Sequence, residues 1–87
     1  MTAPVKMYTS PFCGFCFNAK KLLDSKGVDF EEVDIMMDPE KRDEMMALSG
    51  RRTVPQIFIG DHHVGGFTDL AELEQNGQLD QLLADGQ

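Results

Sequence analysis

The sequence contains no tryptophan, only two cysteines and few basic residues, since eight Lys and Arg stand against 15 Asp and Glu for a formal net charge of −7. Nucleic-acid affinity depends on Lys and Arg neutralising phosphates, so this balance argues against a nucleic-acid partner. It also argues against docking on anionic membranes, which attract basic segments. No apolar run approaches the roughly 20 residues of a membrane-spanning helix. The acidity is therefore interpreted as a property that favours solubility.

The two cysteines, Cys13 and Cys16, lie between an apolar run at residues 5–9 that predicts a strand and a stretch that predicts a helix. Free backbone N–H groups and the positive end of the helix dipole favour thiolate over thiol at a helix start. We therefore expect Cys13 to be the reactive thiol. Cys16 lies about one helical turn further along, close enough to resolve a mixed disulfide formed on Cys13.

Four other interpretations of the cysteine pair are open. A purely structural disulfide would close so small a loop that it adds little stability. A zinc site needs four ligands, and the other soft candidates, His62 and His63, are adjacent residues poorly spaced for one ion. Covalent haem attachment requires His directly after the second cysteine, where Phe17 stands. Two inert buried cysteines would leave their position at the strand–helix junction unexplained, so a redox pair is favoured.

The length of the chain predicts one domain over residues 1–87. Hydrophobic residues make up 41% of the chain, which is a globular composition. The N-terminus has no basic segment followed by an apolar one, so we expect no secretory signal. A cytoplasmic location is predicted, because a reducing compartment suits cysteines that cycle between thiol and disulfide.

Periodicity and turn signals predict the order β-α-β-α-β-β-α, with a further apolar segment after the last helix. The second strand is predicted at residues 28–35, and the third at residues 54–59 with a hairpin partner at residues 62–64. Thr68 or Asp69 is expected to cap the helix that follows. A parallel βαβ unit followed by a hairpin predicts an α/β fold with one central four-stranded mixed sheet flanked by helices.

Pro55 departs from ordinary strand chemistry, because proline lacks the ladder donor and is confined to strand starts, edges and bulges. It is either simply a strand start or part of a cis Val54–Pro55 bond, since X–Pro is the peptide bond in which cis is accessible. A cis bond would turn the backbone groups of Val54 outward, free to pair with an extended ligand.

Three separated motifs together resemble those of the dithiol glutaredoxins, a family with a thioredoxin-like fold. They are Tyr8-Thr9-x-x-x-Cys13-Gly14-Phe15-Cys16, Arg52-Thr53-Val54-Pro55-Gln56-Ile57-Phe58-Ile59 and Gly65-Gly66-Phe67-Thr68-Asp69-Leu70. The resemblance covers residues 5–83. It implies a glutathione-dependent thiol–disulfide oxidoreductase that acts as a monomer on disulfide-bonded or glutathionylated proteins.

The resemblance also implies a role for each matched residue. Cys13 would be the nucleophile and Cys16 the resolving thiol. Glutathione would be bound at its cysteinyl backbone by Thr53, Val54 and Pro55, and at its γ-glutamyl end by Gly66, Phe67, Thr68 and Asp69. Backbone N–H groups at a helix start suit the γ-glutamyl carboxylate, and the Asp69 carboxylate can pair with the neighbouring ammonium.

Two positions depart from the family pattern. Members usually carry Lys three residues before the first cysteine, to contact the glycyl carboxylate of glutathione and stabilise the thiolate. This sequence has Ser10 there, and Arg42, Arg51 or Arg52 are the candidates to replace that lysine. Between the cysteines, Gly14-Phe15 stands in place of the commonest Pro-Tyr. It matches the Cys-Gly-Phe-Ser of monothiol glutaredoxins, which assemble [2Fe–2S] clusters between two subunits with glutathione.

Three hypotheses of function follow. The favoured one is the glutathione-dependent reductase, with no metal. The second is a cluster-carrying dimer, in which Cys13 of each subunit and two glutathiones supply the four thiolates of a [2Fe–2S] cluster. The third is a glutaredoxin-like protein reduced by thioredoxin reductase, which the intact glutathione motifs disfavour. A thioredoxin proper is disfavoured further, because thioredoxins carry Trp before the first cysteine.

Overall fold

The structure, a computed structural model, describes residues 3–84. Its elements are β1 (Val5–Thr9), α1 (Gly14–Ser25), β2 (Glu31–Asp34), α2 (Pro39–Ser49), β3 (Gln56–Ile59), β4 (His62–Gly65), α3 (Phe67–Gln75) and α4 (Gln78–Ala84). This is the predicted order, with α4 as the additional helix. The two ends of the predicted domain, residues 1–2 and 85–87, lie outside the described residues.

The four strands form one mixed sheet in the order β2-β1-β3-β4. Strand β1 pairs in parallel with β2 and antiparallel with β3, and β3 pairs antiparallel with β4. The first pair is parallel because α1 carries the chain back across the sheet before β2 begins, as expected of a βαβ unit. The prediction of a mixed four-stranded sheet is confirmed.

Alternate residues of the strands point into two separate cores, as the period of two in a strand requires. The core beneath α1, α3 and α4 contains Met7, Ala19, Leu23, Ile57, Leu70 and Leu79. The core beneath α2 contains Tyr8, Val33, Ile35 and Met45. Helices therefore cover both faces of the sheet, and none within residues 3–84 has the length and apolarity that a membrane-spanning helix needs.

Two strands are shorter than predicted. Residue 28 does not join the sheet, because the Val28 N–H donates to the carbonyl oxygen of Leu23 (3.2 Å) and so closes the end of α1. The second strand therefore begins at Glu31 and ends at Asp34. The third begins at Gln56, directly after Pro55, which has no N–H to give to a ladder.

The prediction that Thr68 or Asp69 caps α3 is wrong. The N-cap is Gly66, whose extended backbone lets the helix begin at Phe67. The physical reason is the position of the Asp69 carboxylate, which reaches back and accepts the N–H of Gly66 at 3.0 Å. This is the contribution that an acidic residue at the third helical position makes to a helix start.

Candidate active site

The cysteine pair lies at the first turn of α1, as predicted. Cys13 is the N-cap, with an extended backbone, and its Sγ accepts the N–H of Cys16 at 3.1 Å. The two residues form a disulfide across a Cα–Cα distance of 5.2 Å. Cys13 is half-buried whereas Cys16 is 1% exposed. Only Cys13 is therefore open to an incoming substrate, which agrees with the assignment of Cys13 as the reactive thiol.

The residue before Cys13 has unusual backbone geometry. Phe12 has a φ of +63° and is the non-glycine residue with positive φ among those described. Its side chain is fully exposed, and the rings of Phe15 and Phe17 are about 60% exposed. Phe15 therefore does not join Ala19 of the same helix in the core. Three exposed aromatic residues thus flank the two cysteines in the sequence.

The loop before β3 meets the cysteine pair from the other side. The Val54–Pro55 peptide bond is cis, as the sequence suggested. The carbonyl oxygen of Val54 lies 3.8 Å from Cys13 Sγ. The backbone of Val54 therefore faces the sulfur of Cys13.

A groove runs from the first turn of α1 to the start of α3, and we call it the Thr53 groove. Its lining contains all seven residues predicted to bind glutathione together with one aromatic residue of α1: Thr53, Val54, Pro55, Gly66, Phe67, Thr68, Asp69 and Phe15. The rings of Phe15 and Phe67 stack with their centroids 6.5 Å apart. With a volume of about 290 Å³ it lies near the lower end of the roughly 300–1,000 Å³ of small-molecule sites.

The end of the Thr53 groove at α3 is polar. The Asp69 carboxylate accepts the Gly66 N–H and an N–H of Arg51 (3.1 Å), and these contacts, the backbone one first, lower the pKa of Asp69. A side chain at Gly65, whose φ is +114°, would collide with this carboxylate. Arg51 therefore pairs with Asp69 at the α3 end of the Thr53 groove.

A second groove lies on the opposite side of the cysteine pair, and we call it the Ser10 groove. It is more open, with a volume of about 770 Å³, and residues 9–14 line it together with Cys16, Phe17, Lys20, Glu32 and Asp34. Lys20 and Glu32 form an ion pair at 2.6 Å, and the Thr9 hydroxyl donates to the same carboxylate oxygen at 2.9 Å. Lys20, first, and Thr9 lower the pKa of Glu32 although partial burial opposes them.

The sequence interpretation missed the ion pair of the Ser10 groove, although two signals pointed to it. Lys20 follows Cys16 by four residues on a helix, a spacing that puts both side chains on one face. Glu32 lies on β2, which runs parallel to β1 and ends beside it. The structure thus supplies a cation at the groove of Ser10 that comes from α1 rather than from Arg42, Arg51 or Arg52.

Gln56 is a further residue that the motifs contained but to which no role was given. It is fully buried, and its side-chain amide bonds to Thr53 on one side and to His63 on the other. His62 and His63 lie on β4, which is an edge strand, as expected of turn and edge residues. Within residues 3–84 no group of three or more His, Cys, Asp or Glu side chains could hold a metal ion.

Comparison with known proteins gives one consistent family. The family model described as Glutaredoxin matches residues 5–64. A glutaredoxin of Neisseria meningitidis is 56% identical over 80 residues, which cover 91% of this chain and 94% of that protein. The solution structure of a glutaredoxin from Brucella melitensis is 51% identical and superposes with a TM-score of 0.86, covering 99% of this chain and 94% of the other.

A third relative was solved with a ligand. The crystal structure of a buckwheat glutaredoxin–glutathione complex is 28% identical, with a TM-score of 0.88 over 95% of this chain and 78% of the other. These similarities agree with the order of strands and helices and with the Cys13–Cys16 pair.

Proposed function

The chain belongs to the glutaredoxin family, with its thioredoxin-like fold and thiol–disulfide chemistry, and on that premise we propose that it is a glutathione-dependent thiol–disulfide oxidoreductase. Its substrates would be protein disulfides and mixed disulfides between proteins and glutathione. The observation that carries this proposal is the Thr53 groove, which opens beside Cys13 and contains every residue expected to bind glutathione. We also propose that the protein acts as a monomer in the cytoplasm, without nucleic acid.

The reaction begins at Cys13. Its thiolate attacks one sulfur of the substrate disulfide, the S–S bond breaks, and the departing thiolate takes a proton from water. This leaves a mixed disulfide between Cys13 and the rest of the substrate. Cys16 or a glutathione attacks it as the thiolate, the S–S bond of the mixed disulfide breaks, and the departing thiolate takes up the proton that the attacking thiol has lost. If Cys16 attacks, the Cys13–Cys16 disulfide forms, and two glutathione molecules reduce it with release of glutathione disulfide.

The helix start supports the first step. The N–H of Cys16 donates to Cys13 Sγ, and the N-terminal end of α1 carries the positive end of the helix dipole. Both favour the negative thiolate over the neutral thiol. Cys16 is buried whereas Cys13 is half-buried, which supports the role of Cys16 as the second, resolving thiol.

The Thr53 groove supports glutathione as the reductant. The Val54 backbone faces the sulfur of Cys13, where the cysteinyl residue of a glutathione mixed disulfide would lie. Backbone N–H groups at the start of α3 suit the γ-glutamyl carboxylate, and Asp69 suits the ammonium. The Phe15 and Phe67 rings provide an apolar wall. A protein reduced by thioredoxin reductase would have no use for this set of groups.

The decisive experiment compares two variants on a glutathionylated peptide, with release of the free peptide followed by chromatography. We expect Cys13→Ser to abolish all exchange, whereas Cys16→Ser retains removal of glutathione, which needs only one protein thiol. If Cys16→Ser were as inactive as Cys13→Ser, the assignment of roles would be wrong. Turnover with thioredoxin reductase and NADPH but not with glutathione would contradict the proposed reductant.

A second candidate function is the glutathione-ligated [2Fe–2S] dimer. Gly14 has open space beside it and Cys13 is accessible, so one thiolate per subunit fits this use, while Cys16 is enclosed and already paired with Cys13. A solved relative that is 51% identical, with a TM-score of 0.75 over 99% of this chain, concerns metal binding of glutaredoxins. In such a dimer Cys13 and glutathione would hold the cluster.

Anaerobic reconstitution with iron, sulfide and glutathione followed by gel filtration tests the second candidate. A coloured dimer that needs Cys13 but not Cys16 would support it. A colourless monomer would exclude the cluster-carrying dimer, and the reductase would remain as the proposed function.

A further inference from the structure

Gln56 is a polar side chain with no access to solvent, directly behind the Thr53 groove. Its Nε2 donates to the carbonyl oxygen of Thr53 at 3.0 Å and to the Thr53 hydroxyl at 3.2 Å. Thr53 itself is exposed and lines the groove. One buried amide therefore fixes the carbonyl and the hydroxyl oxygen of a residue that faces the ligand site.

The orientation of this amide determines the state of the next residue. A carbonyl oxygen can only accept, so the nitrogen of the Gln56 amide must face Thr53 and the oxygen must face away. His63 Nε2 lies 2.8 Å from that oxygen, and it must therefore carry a proton to donate. Burial, first, and the charge of Arg51 lower the pKa of His63, which favours the neutral ring, and the contact with the Gln56 oxygen places its single proton on Nε2.

His63 is itself held in place by the sheet. It lies opposite Phe58 in the β3–β4 ladder, and the two rings have their centroids 4.9 Å apart. It precedes Gly65 and Gly66, through which β4 enters the start of α3. The hydrogen-bonded series His63–Gln56–Thr53 therefore links the two sides of the Thr53 groove. His63 lies on β4, which leads to the α3 side, and Thr53 forms the other side.

We propose that His63, acting through Gln56, is a positioning residue that holds Thr53 in the geometry needed to bind the glutathione backbone. This inference rests on the proposed function, because it assigns the groove to glutathione. Without the His63 donor the Gln56 oxygen would be buried and unsatisfied, which is costly. The amide would then rotate toward another donor and release the two atoms of Thr53. The effect would fall on the binding of glutathione and not on the thiolate of Cys13.

His62 and His63 offer a matched pair of variants. Adjacent strand residues point to opposite faces, and His62 is exposed and has no part in the Gln56 contacts. We expect His63→Leu to raise the KM for glutathione about fivefold to tenfold, the factor that corresponds to losing one hydrogen bond. The kcat at saturating glutathione should stay near that of the wild type. His62→Leu should change neither, and His63→Gln, which keeps a donor at a similar reach, should recover most of the loss.

In His63→Leu, a fall in kcat that accompanies the rise in KM, together with a lowered unfolding temperature, would indicate a structural role only. That result would overturn the proposal. So would an unchanged KM in a folded His63→Leu variant. The rate of Cys13 alkylation should be equal in both histidine variants, since the proposal leaves the thiolate untouched.

A second measurement does not depend on glutathione turnover. Two-bond ¹H–¹⁵N spectra of the wild type should show a protonated Nε2 and a bare Nδ1 at His63, and the opposite tautomer would contradict the network. The Thr53 amide signal should move in His63→Leu but not in His62→Leu. If the wild type proved inactive with glutathione while these signals behaved as expected, the proposed function would fail and the positioning of Thr53 would stand.

Discussion

The two grooves beside the disulfide are built in different ways. The Thr53 groove joins three segments far apart in the sequence, namely the first turn of α1, the loop before β3 and the start of α3, and its surface is mostly backbone and apolar side chains. The Ser10 groove joins the carboxyl ends of two neighbouring parallel strands to the first turns of α1, and an ion pair lies in its wall. The first groove suits a peptide-like ligand of defined shape, whereas the second is open and charged.

The two grooves also differ in the interactions that hold their lining residues in place. In the Thr53 groove, Asp69 is oriented by the backbone N–H of Gly66, and Thr53 by the buried amide of Gln56, so hydrogen bonds from part-buried groups fix the lining, while the Arg51–Asp69 pair is half exposed. In the Ser10 groove, Lys20 and Glu32 have partly exposed side chains, and water and salt weaken their attraction. Substitutions in the first groove should therefore have larger and more specific effects than those in the second.

The largest effect on stability is expected from Gly65→Ala. Its φ of +114° is unfavourable for alanine, and the new Cβ would collide with the Asp69 carboxylate. Gly77→Ala is the control, since Gly77 also has a positive φ of +75° but open space around it. Urea unfolding should give a loss of about 1–2 kcal/mol for Gly77→Ala from backbone strain alone. Gly65→Ala should lose more, and equal losses would show that Asp69 can move away freely.

The next effect concerns the charge at the end of the Thr53 groove. Asp69→Asn keeps an acceptor for the Gly66 N–H but removes the negative charge that would pair with the ammonium of glutathione. We expect the KM for glutathione to rise by about tenfold or more, as loss of a charge-assisted hydrogen bond implies. Asp80→Asn, which alters only an ion pair with Lys26 on the far side, is the control. An unchanged KM in Asp69→Asn would show that the γ-glutamyl end of glutathione does not bind at Asp69.

A smaller change is expected from adding the family's lysine to the Ser10 groove. Ser10→Lys places a cation beside Cys13, which favours its thiolate and attracts the glycyl carboxylate. Glutathione-dependent turnover at low substrate should rise about threefold to fivefold, on the scale of one exposed ion pair. The gain should shrink as salt is raised, since salt screens exposed charges. Ser10→Gln supplies length without charge, and an equal gain in that variant would exclude an electrostatic cause.

The smallest effect is expected from Glu32→Gln. The pKa of Glu32 is lowered by Lys20 and Thr9, so its contribution to stability is present above the ordinary carboxyl pKa of 4.5 and is lost as pH falls through the lowered value. Because the pair is partly exposed, the loss at pH 7 should be less than about 1 kcal/mol. Urea unfolding at pH 7 and at pH 3 should show the difference from wild type diminishing in acid. Glu31→Gln, at the exposed neighbour, is the control, and a pH-independent difference would contradict the ion-pair explanation.

Much of the fold could be predicted from the sequence because its signals are local. Strand β1 is an apolar run between prolines and turns, and Cys13 stands at the junction with α1, where periodicity changes. The strand limits were less predictable. Val28 looks like a strand residue by composition, but its N–H is taken by the end of α1, and no local pattern reveals such competition.

The candidate site divides in the same way. Cys13, Cys16 and the residues of the Thr53 groove were identified because their motifs are contiguous in the sequence. Lys20 and Glu32 were not, because they meet only through the register that sets β1 against β2. The start of α3 was misplaced for a related reason, since the hydrogen bond from Gly66 to Asp69 decides it.

The sequence by itself determined the redox pair, the order of the elements and the family, since each depends on patterns or motifs whose own residues are contiguous in the chain. Only the tertiary structure decided that Lys20 is the cation of the Ser10 groove and that Arg51 forms an ion pair with Asp69. It also decided that His63 is linked to Thr53 by hydrogen bonds through the buried Gln56. These contacts join residues on different elements. The buried amide of Gln56 needs partners because an unpaired buried polar group is costly, whereas the partly exposed pairs Lys20–Glu32 and Arg51–Asp69 meet because the fold brings their elements together. Such partners are chosen by packing, which a linear pattern does not record.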